Sequence, residues 1–69
     1  MTAEERQDAR KLEGRMVHVA LANGARMDDV ALISFGRTSV WTFVNGNDEF
    51  VAVEDVIAVW ESLPYRSAA

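Results

Sequence analysis

The sequence predicts a mainly β fold, with a short N-terminal helix followed by a five-stranded antiparallel small barrel, in one domain over residues 1–69. Three observations carry this expectation. The stretch from Val40 to Val53 sets two runs of β-forming residues on either side of Asn45-Gly46. Asn and Gly tolerate the positive φ angles that a tight type I′ hairpin requires. The same dipeptide recurs at Asn23-Gly24 between two further apolar runs, as in a meander of antiparallel strands. Finally, a chain this short has no room for two full layers, and closing one sheet on itself removes the exposed edges.

Residues 2–13 read as the helix. Thr2, with Glu5 three positions on, forms a capping-box pattern. Glu4 and Glu5 fall in the first turn and Arg10 and Lys11 in the last, as the helix dipole favours. Gly14 suits the position just past the helix end. The apolar stripe is thin, only Ala9 and Leu12 with Met16 beyond, so the helix must lean on another element.

Residues 15–60 read as the barrel. In 15–21, Val17, Val19 and Leu21 alternate with the more mixed Met16, His18 and Ala20, the pattern of a half-buried strand. Residues 26–35 form the second strand; Asp28-Asp29 interrupts its start and Val30-Ala31-Leu32-Ile33 is its apolar part. Gly36 supplies the turn into the hairpin strands. Glu54-Asp55 is too short for a loop and suits one 3₁₀ turn. Residues 56–60 are the fifth strand. Val56, Val59, Trp60 and Leu63 also fit a helix over 54–63, but the β-branched and aromatic composition favours the strand. Pro64 stops any extension, and 64–69 reads as a frayed tail.

Hydrophobic residues make up 49% of the chain, within the globular range. Without cysteine there is no disulfide, thiol nucleophile or thiolate metal site. The acidic start, Met1-Thr2-Ala3-Glu4-Glu5, matches neither a signal nor a transit peptide, and no apolar run is long enough to span a bilayer. A soluble, cytoplasmic protein is the expectation. Seven Lys and Arg against eleven Asp and Glu leave a net charge of −4, which disfavours non-specific binding driven by phosphate contacts, leaves room for a local basic patch, and favours a protein partner, such as a basic one.

The order of elements, and the ending Val51-Ala52-Val53-Glu54-Asp55-Val56-Ile57-Ala58-Val59, resemble the SH3-like small barrels. The likeness is greatest to their Sm-like branch, which includes the bacterial Rho-binding antiterminator. In those barrels a fourth strand runs through a one-turn break into a fifth. Sm proteins carry an Asp and an Asn in one RNA-binding loop and an Arg-Gly or Lys-Gly in another. Here Phe35-Gly36-Arg37-Thr38 lacks the first pair, and Asn45-Gly46 has Asn where the basic residue would stand. The resemblance to the antiterminator, an acidic barrel that binds a protein, implies a protein partner.

Parity within the hairpin yields the sharpest functional clue. Successive side chains point to opposite faces. A loop of two or four residues puts Trp41, Phe43 and Phe50 on one face and Val40, Val44, Val51 and Val53 on the other; a three-residue loop with a bulge mixes them. Asn45-Gly46 favours the even loop. Both faces are then apolar, a single core takes only one, and the helix has too little apolar surface to cover three rings. Trp41, Phe43 and Phe50 are therefore the candidate interface, most simply with another copy of the chain. The competing reading curls the aromatic residues into one core.

Catalytic machinery is sparse. His18 is the only histidine, and Ser34, Ser39, Ser62 and Ser67 lack a nucleophile-elbow context. The pairs Asp28-Asp29, Asp48-Glu49 and Glu54-Asp55 read as solvated turn and edge charges. No enzyme activity, cofactor or metal is expected. Arg6 and Arg10, one helical turn apart, together with Arg37 and a nearby Trp41 or Tyr65, form the alternative: contacts to RNA or single-stranded nucleic acid. The expected function is a non-catalytic, self-associating protein-interaction module.

Overall fold

A computed structural model describes residues 1–63; the tail expected to fray, 64–69, and Tyr65 within it lie outside the described residues. The first element, α1, spans Ala3–Arg10, three residues shorter at its C-terminus than expected. Its N-terminus is set by the capping box the sequence announces. The Thr2 amide donates to Glu5 Oε1 at 2.8 Å, and the Thr2 hydroxyl oxygen accepts from the Glu5 amide at 3.1 Å. Two otherwise unpaired helix-end donors are thereby satisfied. Beyond Arg10 the chain continues in tighter turns to Gly14, whose amide donates to the Leu32 carbonyl at 2.7 Å.

Five antiparallel strands follow: β1 Met16–Leu21, β2 Arg26–Phe35, β3 Ser39–Val44, β4 Asn47–Ala52 and β5 Val56–Glu61. The 3₁₀ turn expected between the last two occupies Val53–Asp55, and 56–61 is a strand rather than a helix. The sheet order is β4-β3-β2-β1-β5.

The two Asn-Gly pairs make different turns. Asn45 and Gly46 both have positive φ, 51° and 82°, and Val44 pairs with Asn47, so the β3–β4 loop has two residues as expected for type I′. At the β1–β2 turn only Gly24 has positive φ (89°), and Leu21 donates to the Ala25 carbonyl at 3.0 Å. This loop holds three residues, with Gly in the left-handed position.

Three irregularities in register decide which side chains reach the core. Between Val17 and Val19, β2 carries an extra residue at Asp28-Asp29, and Asp29 adopts φ 53°. A second extra residue falls near Ile33, where Leu32 pairs with Thr42 but Ser34 pairs with Trp41. That slip changes the parity of the strand, so Val30, Leu32 and Phe35 all turn inward despite their uneven spacing. A third lies in β5 at Ile57, between the pairs Ala20–Ala58 and Leu21–Val56.

The core gathers Val17, Val19, Val30, Leu32, Phe35 and Val40, with Val53 and Val56 from the β4–β5 junction. Helix α1 closes it from the inner side of the sheet with Ala9, supported by Met1 and Leu12. Thr42 is the buried polar side chain of this interior, and its hydroxyl donates to the Glu49 carbonyl at 3.3 Å.

One expectation is corrected. The sheet is not closed into a barrel: β4 and β5 are its two edges, and no ladder joins them among the described residues. The 3₁₀ turn redirects the chain without reversing it. Val53 donates to the Thr38 carbonyl at 2.9 Å, beside β3, while the Asp55 carbonyl accepts from Ala22 at 2.8 Å, beside β1. The two ends of the turn are thus tied to opposite sides of the sheet, and the strands it joins diverge rather than pair.

Candidate interaction surface

The two-residue loop settles the parity of the hairpin. Trp41 pairs directly with Phe50, and Phe43 with Asp48, so all four side chains share one face. Val40, Thr42 and Val53 occupy the other face and are buried. The aromatic face points to solvent, with Trp41 38%, Phe43 44% and Phe50 63% exposed. The rings of Trp41 and Phe50 stack with centroids 5.6 Å apart and planes inclined by 22°. Asp48 Oδ1 accepts the Trp41 indole N–H at 3.0 Å, which fixes the ring over the hairpin. The candidate interface residues therefore lie together, and the core of the domain forms without them.

Cross-strand partners share a face, which lets the surface be followed across the sheet. Phe43 pairs with Ala31 and Ala31 with Met16, while His18, two residues along β1, pairs with Trp60. Ile33 stands two residues from Ala31. Met16, Ile33 and Trp60 thus join Trp41, Phe43 and Phe50 on the outer side of the sheet, and all six are exposed. Sequence reasoning missed these three. The alternation of Met16 with Val17 and Val19 signalled that Met16 points outward, but its place beside Phe43 depends on the register of three strands. Ile33 sits at a bulge that strict alternation does not anticipate. Helix α1 packs on the opposite side, and among the described residues nothing covers the outer face.

The end of this face beside Trp60 is polar. The His18 ring lies 5.6 Å from that of Trp60, and the Arg26 guanidinium sits over the same indole at 5.3 Å. Asp28 Oδ1 accepts from Arg26 Nη2 at 2.7 Å and lies 2.9 Å from His18 Nδ1. The hydrogen bond from Arg26 holds the Asp28 carboxyl below its ordinary pKa against an opposing desolvation, and the Arg26 charge and His18 add to the lowering. The neighbouring Asp29 accepts from the Ser62 hydroxyl. Two of the three acidic pairs are therefore engaged in local bonds through Asp28, Asp29 and Asp48. Among the described residues no group of acidic or histidine side chains is arranged to hold a metal ion.

The arginines of the alternative reading lie on the helix side. Arg10 is committed to the fold: its Nε donates to the Phe35 carbonyl at 3.2 Å, and its guanidinium sits 5.8 Å over the Phe35 ring. Arg6 and Arg37 come together, lining one hollow with Thr38, Val53 and Glu54. Trp41 does not line that hollow and lies on the outer face with Phe50.

Among the described residues no helix is long and apolar enough to cross a membrane. Compared with protein-family models, curated proteins and solved structures, the chain matches none.

Proposed function

We propose that this chain is a small, non-catalytic protein-interaction module that associates with a second copy of itself through the outer face of its sheet. The observation that carries this reading is the set of six large apolar side chains exposed on that one face. Side chains of this size offer roughly 150–250 Å² each, so six at about half exposure present on the order of 500 Å² of apolar surface. That lies at the upper end for a monomer's largest patch. A specific interface buries about 800 Å² on each partner, so the patch supplies the apolar centre of one such contact. A second copy is the occupant this favours. A sheet face that is apolar in the middle and polar at its margins, with Asp48 at one side and Arg26 at the other, is complementary to itself across a twofold axis.

The finer family reading belongs here also. A short helix, five antiparallel strands and a one-turn link at Val53–Asp55 are the features that support an SH3-like, Sm-like assignment. The nucleic-acid reading that comes with it, through Arg6, Arg10 and Arg37, has less support, because Arg10 is spent on Phe35 and the exposed rings lie on the other side. A cytoplasmic location is part of the same proposal.

Light scattering across micromolar concentrations tests the reading directly. A dimer that loses mass on substitution of Phe50 supports it. A mass that stays at 7.7 kDa throughout removes self-association. A ring-sized mass would instead favour assembly through the free edges of β4 and β5.

A further inference from the structure

The seven Lys and Arg side chains of this acidic chain divide in an uneven way, with Arg66 outside the described residues. Lys11, Arg15 and Arg26 each have a carboxylate partner, Asp8 at 3.6 Å, Glu61 at 2.9 Å and Asp28 at 2.7 Å. Arg6, Arg10 and Arg37 have none within salt-bridge distance among the described residues. All three converge on the β2–β3 turn. Arg10 is held there by the Phe35 carbonyl, whereas Arg6 and Arg37 open onto a shared hollow of about 250 Å³. The Nε of Arg6 is buried and has no hydrogen-bond partner among the described residues. Leaving such a donor unmet is costly, and gathering like charges adds to that cost. Glu54 lines the same hollow, yet among the described residues no carboxylate, Glu54 included, lies within salt-bridge distance of Arg6 or Arg37.

We propose that the hollow between α1 and the β2–β3 turn is an oxyanion site that takes one carboxylate group of an acidic protein segment, held by Arg6 and Arg37. Guanidinium groups present paired donors that match the two oxygens of a carboxylate. Thr38 and Val53 also line the hollow, Val53 as an apolar wall. The volume suits one such group and its stem. One feature favours a carboxylate over a nucleic-acid phosphate: no aromatic ring lines the hollow, so bases would lack a stacking platform there. The charge of Glu54, which lines the same hollow, opposes any anion there, the carboxylate included.

The test is an amide NMR titration of the full chain with a short poly-glutamate peptide, with inorganic phosphate and single-stranded oligonucleotide as parallel arms. Saturable shifts confined to Arg6, Arg37, Thr38 and the Val53–Asp55 turn are expected with the peptide. Arg37→Gln, on an exposed turn where folding is little affected, should weaken binding about tenfold, the loss of one charge-assisted hydrogen bond. Glu54→Gln should tighten it by roughly three- to tenfold by removing a nearby like charge. Phe50→Ser should leave it unchanged, which separates this site from the self-association face. Shifts scattered over the surface, or equal affinity in Arg37→Gln, would overturn the proposal. Tighter binding of the oligonucleotide than of the peptide would overturn the choice of carboxylate, and phosphate saturating the site while the peptide does not would assign it to a free ion.

Discussion

Replacing Phe50 by Ser separates folding from association, because the same ring contributes unequally to the two. In a single copy Phe50 is 63% exposed, so about a third of its surface is buried. Full burial of a Phe side chain stabilises by up to ~3 kcal/mol, which makes the buried third worth about 1 kcal/mol. The stack on Trp41, at 5.6 Å, adds roughly 0.5–1 kcal/mol. The single copy should therefore lose about 1.5–2 kcal/mol. In the proposed dimer the remaining two-thirds is buried, at about 1.5–2 kcal/mol per copy. Twofold symmetry counts that loss twice, so the dissociation constant should rise by at least about a hundredfold. Sedimentation equilibrium reads the association, and urea unfolding at a concentration where both proteins are monomeric reads the fold. Leu32→Ala is the contrasting control. It lies in the core and should cost about 2–5 kcal/mol while leaving the outer face in place. An unchanged dissociation constant in Phe50→Ser, beside a normal unfolding curve, would refute the role given to this face.

Three further outcomes follow from particular contacts. Gly46→Ala should cost about 1–2 kcal/mol in urea unfolding purely through the backbone, since Gly46 sits at φ 82° and an added Cβ would touch nothing; a neutral result would mean that the turn relaxes. Thr2→Ala removes half of the capping box and should cost about 1 kcal/mol, read as faster hydrogen exchange at the α1 amides with the strands unaffected. Arg26→Gln tests the linkage at Asp28, whose depressed pKa means that its contribution is present above about 3.9 and is lost as pH falls through the folded value. The variant should be less stable near neutral pH, with the difference closing as pH falls through the lowered pKa of Asp28 and its carboxyl takes up a proton; a gap that persists once the carboxyl is protonated would point to packing on Trp60 instead.

Local chemistry was legible wherever a few neighbouring residues suffice to decide a conformation. Thr2 and Glu5 define a helix start, because the capping box closes within four residues. Asn45-Gly46 defines a two-residue turn, and through it the parity of Trp41, Phe43 and Phe50. Glu54-Asp55 is a one-turn break because two polar residues between β-branched runs leave space for little else. The limits appear at the same scale. Asn23-Gly24 is the same dipeptide as Asn45-Gly46 and makes a longer loop, since the register of β1 with β2 and β5, not the pair alone, sets the strand ends. The bulges at Asp28-Asp29, Ile33 and Ile57 were not foreseen. An extra residue leaves no mark in composition, and its stabilisation comes from the pairing strand.

The sequence by itself therefore determined a helix followed by five antiparallel strands, and a hairpin with one aliphatic and one aromatic face. These follow from local backbone preferences and the two-residue period of a strand. Only the tertiary structure decided that the aliphatic face is the interior, that α1 covers that side, and that the aromatic face extends through Met16 and Ile33 to Trp60. It also decided that the sheet stays open at β4 and β5, and that Arg6 meets Arg37 in one hollow. Each of these depends on which distant segments share a register or an edge. That is set by the summed packing of the whole core, to which a window of neighbouring residues has no access.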